Sequence, residues 1–332
     1  FGVEEVDTGA YAMLDFRKEI FGGVLRGDFG VRYAKTEVEA NGLTNTSRPV
    51  SNDNEYEDWL PSLNLVFEPT SNLLLRFAVA DVMARPILNN LAPSVTSFSA
   101  PSTPGAVSGG SITLGNTKLD PFRGRNYDVS AEWYFAPGGL LSVALFRKDL
   151  SSYPQTVVAE GRLSEILSPE IIAQLRISQT NPDSVAYIDA DNVFNIRQFR
   201  DAPGGVIDGL EVAYQQNFTF LPGWWKNFGV QANYTHIESE LNYILDPGAL
   251  ATATAPARPA VIAQGPFLGA SPDSVNLTLF YEVPRFSIRG SLAHRSGYYT
   301  TYPVSSGSCE PGYCDSPLVN DFLGSEATTN FD

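Results

Sequence analysis

The chain of 332 residues contains two histidines, His236 and His294, and these are the side chains that would first suggest catalysis. A catalytic histidine needs a nucleophile or an acid within hydrogen-bond reach, inside a cleft. Both histidines fall on positions that we predict to be apolar-facing, near the ends of strands. The chain has no Gly-x-Ser-x-Gly motif and no glycine-rich phosphate loop. We therefore expect no catalytic residues, no enzymatic activity and no cofactor.

Two oxygen-rich segments could in principle bind a metal ion. One contains Asp53, Asn54, Glu55, Glu57 and Asp58, and the other runs from Asp189 to Asn192. Carboxylate and amide oxygens are suitable calcium ligands, but neither segment has the spacing of an EF-hand. A solvated acidic loop is the simpler interpretation, so we expect no metal site.

The two cysteines, Cys309 and Cys314, lie in a segment rich in glycine, proline and serine. Two thiols that close a small loop indicate a disulfide in an oxidising compartment. Two free surface thiols are the alternative. We predict the disulfide.

Aromatic rings and arginines in the long segments between predicted strands are candidates for ligand recognition. Aromatic platforms beside amides and carboxylates suit sugar rings, which have apolar faces and a rim of hydroxyl groups. The arginines could equally serve an anionic ferric chelate, and any of these side chains could simply pack a loop. The candidates are Arg85, Phe98, Phe122, Arg123, Arg125, Tyr187, Tyr243, Phe267, Tyr298, Tyr299 and Tyr302.

The elements that would position these residues are strands, because ten segments alternate apolar and polar side chains. Between residues 126 and 135, for example, Val129, Ala131 and Trp133 alternate with Ser130 and Glu132. In an extended strand such a segment has one apolar face and one polar face. The ten predicted strands are 8–17, 25–38, 57–68, 73–83, 126–135, 140–151, 206–218, 227–238, 274–283 and 286–296.

The links between these strands are alternately short and long. The long ones, 39–56, 84–125, 152–205, 239–273 and 297–326, all fall at one end of the predicted sheet. Short turns at one end and long extracellular loops at the other are typical of transmembrane β-barrels. The 152–205 loop also carries a helix signal, with Ser168 as N-cap and Pro169 at the first helical position.

Both faces of the predicted sheet are consistent from strand to strand. The predicted lipid-facing set is Leu73, Leu75, Phe77, Val79, Leu141, Val143, Leu145, Leu210, Val212, Tyr214, Phe228, Val230, Ala232, Tyr234, Val275, Leu277, Leu279 and Tyr281. The opposite positions include Arg76, Glu132, Glu211, Asn233 and Arg289. A lysine or arginine facing lipid at mid-depth costs about 2–4 kcal/mol, so this partition indicates a membrane-spanning sheet.

Composition narrows the class of protein further. No run of eighteen apolar residues occurs, so we expect no transmembrane helix. The net charge is −15, and such an acidic chain lacks the basic surface that neutralises nucleic-acid phosphates. Trp224 and Trp225 lie together in one short turn. Tryptophans are enriched at membrane–water boundaries, so we expect this turn to lie at such a boundary.

Several segments resemble the C-terminal half of the barrel of TonB-dependent outer-membrane receptors, especially the proteobacterial group often associated with carbohydrate uptake. These segments include WLPSLNLVFEPTSNLLLRFAVADVMARP (59–86), GNTKLDPFRGRNYDVSAEWYF (115–135) and GLLSVALFRKDLSSY (139–153). The resemblance is also carried by GLEVAYQQNFTFLPG (209–223), FGVQANYTHIES (228–239) and NLTLFYE (276–282).

The resemblance implies an all-β antiparallel transmembrane barrel of 22 strands, filled by an N-terminal plug. This chain would supply about ten strands across 1–332, without the plug, and we expect further strands on both sides. It also implies location in the outer membrane of a Gram-negative bacterium, and contact with lipid and lipopolysaccharide. TonB would bind through the missing N-terminal region. The implied function is import of a bulky nutrient, an oligosaccharide or alternatively a ferric siderophore. A passive porin and a structural surface barrel are the remaining alternatives.

Overall fold

The computed structural model describes residues 2–43, 49–91, 95–246, 248, 259–302 and 322–332. The strands are β1 (Gly2–Ile20), β2 (Gly23–Leu43), β3 (Pro49–Thr70), β4 (Leu73–Ala84), β5 (Val95–Ser99), β6 (Gly110–Leu114), β7 (Phe122–Ala136), β8 (Gly139–Arg162), β9 (Val193–Asn217), β10 (Phe228–Asp246), β11 (Val261–Gly265), β12 (Asp273–Val283), β13 (Phe286–Arg295), β14 (Tyr298–Thr301), β15 (Leu323–Ser325) and β16 (Thr328–Phe331). The helices are α1 (Leu163–Ile166), α2 (Pro169–Ile177) and α3 (Pro182–Asp189). Within these described ranges, no helix combines the length and apolar character needed to cross a membrane.

The long strands form one antiparallel sheet in the order β1-β2-β3-β4-β7-β8-β9-β10-β12-β13-β16. All ten predicted strands are therefore confirmed. Beyond these ten, β16 pairs with β13 and continues the sheet. The predicted helix after Ser168 is present as α2, whereas α1, α3 and the short strands β5, β6, β11, β14 and β15 were not predicted.

Tight turns connect the long strands at one end of the strands, which we call the short-turn end. Residues 21–22, 71–72, 137–138 and 284–285 link consecutive strands there. Phe21 and Gly22 both have positive φ, 51° and 77°. Two consecutive residues of that kind match the right-handed twist of a hairpin. Trp224 and Trp225 lie at the same end with their rings stacked, 4.1 Å between centroids, and about half exposed.

The pairing register keeps the two faces separate across the sheet. One row of directly paired residues runs Leu75, Ala131, Val143, Val212, Tyr234 and Val275. The adjacent row on the other side runs Arg76, Ser130, Ala144, Glu211, Thr235 and Ser274. Because directly opposed residues lie on the same side of a sheet, the predicted apolar set shares one side. We call the two sides the apolar face and the polar face.

Large side chains of the apolar face are open to the surroundings. Val129, Leu145 and Leu279 are 50%, 56% and 54% exposed. Monomeric soluble proteins rarely expose a continuous apolar surface of this extent, because contact with water is unfavourable. This face is therefore built for an apolar environment.

Two glycines on the polar face accept an aromatic ring from the neighbouring strand. A Cβ atom at Gly209 would lie 2.1 Å from the Phe146 ring, and one at Gly229 would lie 2.2 Å from the Phe280 ring. Any larger side chain would displace these rings. Glycine is therefore required at both positions by close packing between strands.

At the opposite end, the long-loop end, the strands continue beyond the predicted boundaries. β8 and β9 stay paired as far as Arg162 and Val193, within the segment 152–205 that we predicted as a loop. Similarly, β2 and β3 remain paired up to Leu43 and Pro49, within 39–56. The strands therefore extend further into the predicted loops 39–56 and 152–205 than the predicted strand ends at 38, 57, 151 and 206. On β8, Val157 and Val158 are both buried although they lie on opposite sides of the strand, so the polar–apolar alternation that marks a strand is lost there. On β2, by contrast, Val38 and Ala40 are buried while Glu37 and Glu39 are exposed.

Segments at the long-loop end pack into three hydrophobic clusters. One unites loop 84–125 with the β8–β9 tip, because β6 pairs in parallel with β9 and α2 and α3 pack beside them. A second cluster surrounds Leu91 and Leu119 above β2 and β3. The third joins β8, β9 and β10 with the β14–β15 hairpin. Folded structure at this end therefore frames any site located there.

Candidate ligand-binding site

A cavity of about 400 Å³ lies within the third cluster, at the long-loop end. Leu241 and Tyr243 of its wall continue the alternation of Gln231 and Asn233 along β10, so the cavity is on the side of the polar face. Aromatic, aliphatic and hydroxyl side chains line it. They are Phe122, Tyr153, Pro154, Gln155, Thr156, Val158, Arg197, Phe199, Leu241, Tyr243, Phe267, Leu268, Thr300, Thr301 and Tyr302.

Aromatic rings form a continuous series through this wall. The centroid distances are 6.1 Å for Phe122–Tyr153, 5.9 Å for Tyr153–Tyr243, 4.9 Å for Tyr243–Tyr302 and 4.0 Å for Tyr302–Phe322. Stacked and edge-to-face pairs of this kind stabilise each other beyond simple burial. The series fixes the wall and attaches the β14–β15 hairpin to it.

Two side chains of β8 reach across β9 to hold β10. The Tyr153 hydroxyl donates to the Asn242 carbonyl oxygen at 2.8 Å. The Gln155 amide donates to the Ile244 carbonyl at 3.1 Å and accepts from the Ile244 N–H at 2.8 Å, in the manner of a paired backbone unit. The small residue Ala202 of β9 lies opposite Tyr153. These contacts set the position of the cavity wall.

The two central phenols are neutral and already hydrogen-bonded. Burial raises the pKa of the Tyr153 phenol, and burial raises the pKa of Tyr243 to about 12. The Tyr243 hydroxyl donates to the Pro266 carbonyl oxygen at 2.6 Å. A ligand in the cavity would therefore meet ring surfaces rather than free tyrosine hydroxyls.

The accessible polar groups of the cavity are few. Arg197 is exposed, and within the described part of the chain it forms no ion pair. Thr156 and Thr301 add hydroxyl groups, while Thr300 donates to the Leu323 carbonyl at 3.0 Å. The cavity thus presents an aromatic surface with one cation and several hydroxyls.

Of the residues that the sequence suggested for ligand binding, four meet at this cavity. Phe122, Tyr243, Phe267 and Tyr302 all line it. Tyr299 contacts the wall indirectly through Phe322, 4.4 Å between ring centroids.

Phe98 and Tyr187 belong instead to the folded unit at the β8–β9 tip. Tyr187 is 2% exposed and its ring lies edge-on to Phe194, 5.1 Å away. Its hydroxyl accepts from the Gly110 N–H at 3.3 Å and donates to the Val193 carbonyl oxygen. Phe98 stacks on Phe194, with 5.4 Å between the ring centroids. Both rings hold the unit together.

The three candidate arginines are spread over the long-loop end, and each pairs with a carboxylate. The pairs are Arg85–Asp7 at 2.6 Å, Arg123–Asp58 at 2.6 Å and Arg125–Asp81 at 2.5 Å. Arg125 and Asp81 lie on the apolar face, since they are two residues from Tyr127 and Val79 of that face. The Arg295 guanidinium carbon lies over the Tyr298 ring, 4.0 Å from the ring centroid.

Sequence reasoning missed Tyr153, Gln155 and Arg197. Tyr153 and Gln155 fall just after the predicted end of β8, where alternation stops. Arg197 lies within the predicted loop 152–205, before the predicted start of the next strand at 206. An extended reading of both segments as a hairpin would have found all three.

The acidic side chains and the two histidines are the remaining residues that suggested chemistry. Within the described residues, no group of three or more histidine, cysteine or acidic side chains is arranged to hold a metal ion. His236 pairs through Nδ1 with Asp273 at 2.9 Å, and His294 contacts the Thr329 hydroxyl at 2.8 Å. The predicted Cys309–Cys314 disulfide lies outside the described residues and stays a prediction.

Comparison with known proteins gives one family and several similar folds. The family model described as "TonB dependent receptor-like, beta-barrel" matches residues 2–317. No curated protein matches the chain. The siderophore receptor PiuA from Acinetobacter baumannii has a similar structure, with a TM-score of 0.56, 13% identity, and coverage of 99% of this chain and 36% of that one.

Two further solved structures show the same fold. The siderophore receptor PirA from Acinetobacter baumannii has a TM-score of 0.53 and 12% sequence identity. The aligned region covers 99% of this chain and 47% of the PirA chain. A mutant of the ferric enterobactin receptor PfeA from Pseudomonas aeruginosa has a TM-score of 0.53 and 14% sequence identity. The aligned region covers 99% of this chain and 46% of the PfeA chain. The chain therefore spans less than half the length of these structures.

Proposed function

We propose that this chain, which belongs to the TonB-dependent receptor family, forms part of a barrel that binds a bulky nutrient outside the cell and imports it. The family is one of transport receptors of the Gram-negative outer membrane. The observation that carries the proposal is the aromatic cavity at the long-loop end, on the side of the polar face. A site there meets ligands arriving from the exterior if the long loops are extracellular.

The complete receptor needs parts that this chain does not supply. Among the residues that the structure describes, β1 pairs with β2 alone, and most of β13 extends beyond its short pairing with β16. Edges of this kind require further strands within a membrane, because unpaired backbone groups are costly in hydrocarbon. We propose that such strands, a plug, and a TonB-binding segment complete the receptor.

An oligosaccharide is the ligand class that we propose first. Ring surfaces of Phe122 and Phe267, with threonine hydroxyls nearby, suit the apolar faces and hydroxyl rims of sugars. The net charge of −15 also favours a neutral ligand over an anionic one, because like charges repel at long range.

A ferric siderophore is the second candidate, and Arg197 favours it. This exposed cation of the cavity could pair with an anionic chelate. Proteins of similar fold are named as siderophore receptors. The likeness at 12–13% identity concerns the fold alone, so the ligand class rests on the cavity itself.

Growth assays test the import function directly. A strain lacking the full-length receptor should lose growth on one oligosaccharide as sole carbon source, or on one ferric chelate under iron limitation. Deletion of TonB should give the same loss. A passive porin would retain uptake without TonB, and a structural surface barrel would show no nutrient-specific defect.

Two variants of the full-length receptor test the cavity and separate the ligand classes. Phe267→Ala should weaken ligand binding about tenfold, since loss of one stacked ring costs on the order of 1–2 kcal/mol. Its control is Phe220→Ala, at the short-turn end. Arg197→Gln should leave oligosaccharide affinity within about threefold but weaken a ferric chelate about tenfold or more. Its control is Arg200→Gln, on the same strand outside the cavity. Unchanged affinity in Phe267→Ala would remove the cavity from the proposal.

A further inference from the structure

The strand β3 has an unpaired edge at the long-loop end. It pairs with β2 from Glu68 to Pro49, but it pairs with β4 only from Thr70 to Ser62. Within the described ranges, no other strand pairs with the remainder of the β4-facing edge. Because β3 lies between β2 and β4 in the sheet, further strands added beyond β1 or β13 would leave this edge as it is.

Pro61 ends the pairing between β3 and β4. The last residue of β3 that pairs with β4 is Ser62, and Pro61 precedes it. Pro61 also pairs with Val31 inside the β2–β3 ladder, where proline is tolerated only if its nitrogen faces away from β2. The nitrogen therefore faces β4, where it has no hydrogen to continue the ladder. Beyond Pro61 the Arg123–Asp58 ion pair, at 2.6 Å, still joins β7 to β3, so the open edge starts at residue 57.

Three residues of the open edge would present both backbone and side-chain groups to an approaching strand. In an antiparallel strand, the N–H and C=O groups of every second residue face the same side. Asp53, Glu55 and Glu57 have the parity of Pro61, so their backbone groups face the open edge. Their side chains continue the apolar face beyond Trp59, and all three residues are exposed.

The surface beside this edge carries opposed like charges. Glu37 of β2 lies directly opposite Glu55, and Glu39 lies directly opposite Asp53. Carboxylates opposite each other across a ladder destabilise a sheet. Lys35 compensates in part, because its ammonium nitrogen lies 2.9 Å from a Glu37 oxygen and 3.2 Å from a Glu55 oxygen. A cavity of about 580 Å³ opens among these carboxylates, so there is room for further cations.

A cationic strand is the partner that matches both the open edge and its charge. Unpaired N–H and C=O groups along a sheet edge are a template for a further strand. In an antiparallel partner, the residues opposite 53, 55 and 57 would have their side chains on the same face as the three carboxylates, with Cβ atoms about 5 Å apart. Basic residues there would replace repulsion by attraction. A second copy of this chain does not fit, because two such acidic edges repel each other.

We propose that the open edge of β3 binds an extended basic segment of another polypeptide, which adds to the sheet as an antiparallel strand. Lysine or arginine at every second position of that segment would face Asp53, Glu55 and Glu57. The site is separated from the aromatic cavity by β4 and β7, and it uses the opposite face of the sheet. Binding of this partner is therefore independent of nutrient import.

Fluorescence anisotropy with the full-length receptor in detergent micelles tests the addition of a strand. The probe is a labelled nine-residue peptide in which lysine alternates with threonine. N-methylation of the lysine amides removes the N–H groups that would face β3, so it should weaken binding about tenfold or more. N-methylation of the threonine amides, which would face away, should leave the affinity within about threefold. The same peptide with glutamate in place of lysine should not bind.

A receptor variant tests the acidic side chains. Asp53→Asn, Glu57→Gln leaves Lys35 its two ion pairs and should weaken binding of the lysine peptide about fivefold, because two surface charge pairs are lost. The control Glu160→Gln, Glu240→Gln removes the same charge from exposed positions on other strands and should bind the peptide like the wild type.

Three results would overturn the proposal. The first is equal weakening by the two N-methylations, which excludes strand addition. The second is a double variant at the edge that binds like the wild type. The third is a wild-type receptor that does not bind the lysine peptide, whether or not it binds Ca²⁺ at these carboxylates. Growth on the imported nutrient, which both variants should keep, reports the proposed transport function separately.

Discussion

Placing an arginine at Val143 should destabilise the full-length receptor much more than placing one at the adjacent Ser142. Val143 pairs with Ala131 and Val212 on the apolar face, while Ser142 pairs with Glu132 on the polar face. The two substitutions differ by a single residue. Their contrast therefore isolates which side of the sheet contacts lipid.

The magnitude follows from the depth of Val143 in the sheet. It lies four residues from Gly139 at the short-turn end and four from Arg147, the next charged residue of β8 on the apolar face. Four residues span about 13 Å, or about 10 Å of depth at a 40° tilt, so Val143 is close to the middle of the apolar band. Val143→Arg should cost about 2–4 kcal/mol in the free energy of unfolding. Ser142→Arg should change it by less than about 1 kcal/mol.

The assay is urea unfolding of the full-length receptor in lipid vesicles, followed by tryptophan fluorescence. The midpoint should fall clearly for Val143→Arg and remain near the wild-type value for Ser142→Arg. An equal loss in both variants, or a larger loss for Ser142→Arg, would refute the assignment of the two faces.

Three further predictions concern packing, loop structure and pH. Gly209→Ala should destabilise the receptor by about 1–3 kcal/mol, because the new Cβ atom would lie 2.1 Å from the Phe146 ring. The control Gly290→Ala should not destabilise it, because a Cβ atom there would meet nothing within 4 Å. Similar unfolding midpoints for the two variants would contradict this prediction. Tyr187→Phe should speed hydrogen exchange in β6 by removing a buried hydroxyl that holds two backbone groups, and unchanged exchange would show that this hydroxyl is dispensable. Burial raises the pKa of Tyr153 above its ordinary value near 10. The phenol therefore ionises in the unfolded chain before it does in the folded one, and this lowers the folding stability only as pH rises past about 10. Wild type and Tyr153→Phe should therefore differ in the pH dependence of their melting temperatures above that value and not below it.

The strands inside the apolar band could be predicted from the sequence because one face meets an apolar environment and the other a polar one. This produces strict alternation, as in β7. Nearer the long-loop end, β8 and β9 are covered on both sides, and Val157, Val158 and Ile196 are all buried regardless of parity. Alternation gives no signal there. Pro203, Gly204 and Gly205 fell within the predicted loop 152–205, although they lie within the paired strand β9.

The candidate site could be predicted only in part. Aromatic residue types suggested Phe122, Tyr243, Phe267 and Tyr302, which meet at the cavity. The same criterion also selected Tyr187, which packs the β8–β9 tip. Residue type cannot separate a ring that lines a cavity from one that fills a core, because the difference depends on long-range contacts between loops.

Spin-label accessibility along β8 would show which side of the sheet contacts lipid. Single labels at positions 140–149 of the full-length receptor in vesicles would report access to oxygen, which concentrates in hydrocarbon, and to a polar nickel chelate, which stays in water. We expect oxygen access at 141, 143 and 145, chelate access at the alternate positions, and a change to chelate access from 147 onward. Absence of a two-residue period, or the opposite phase, would contradict it.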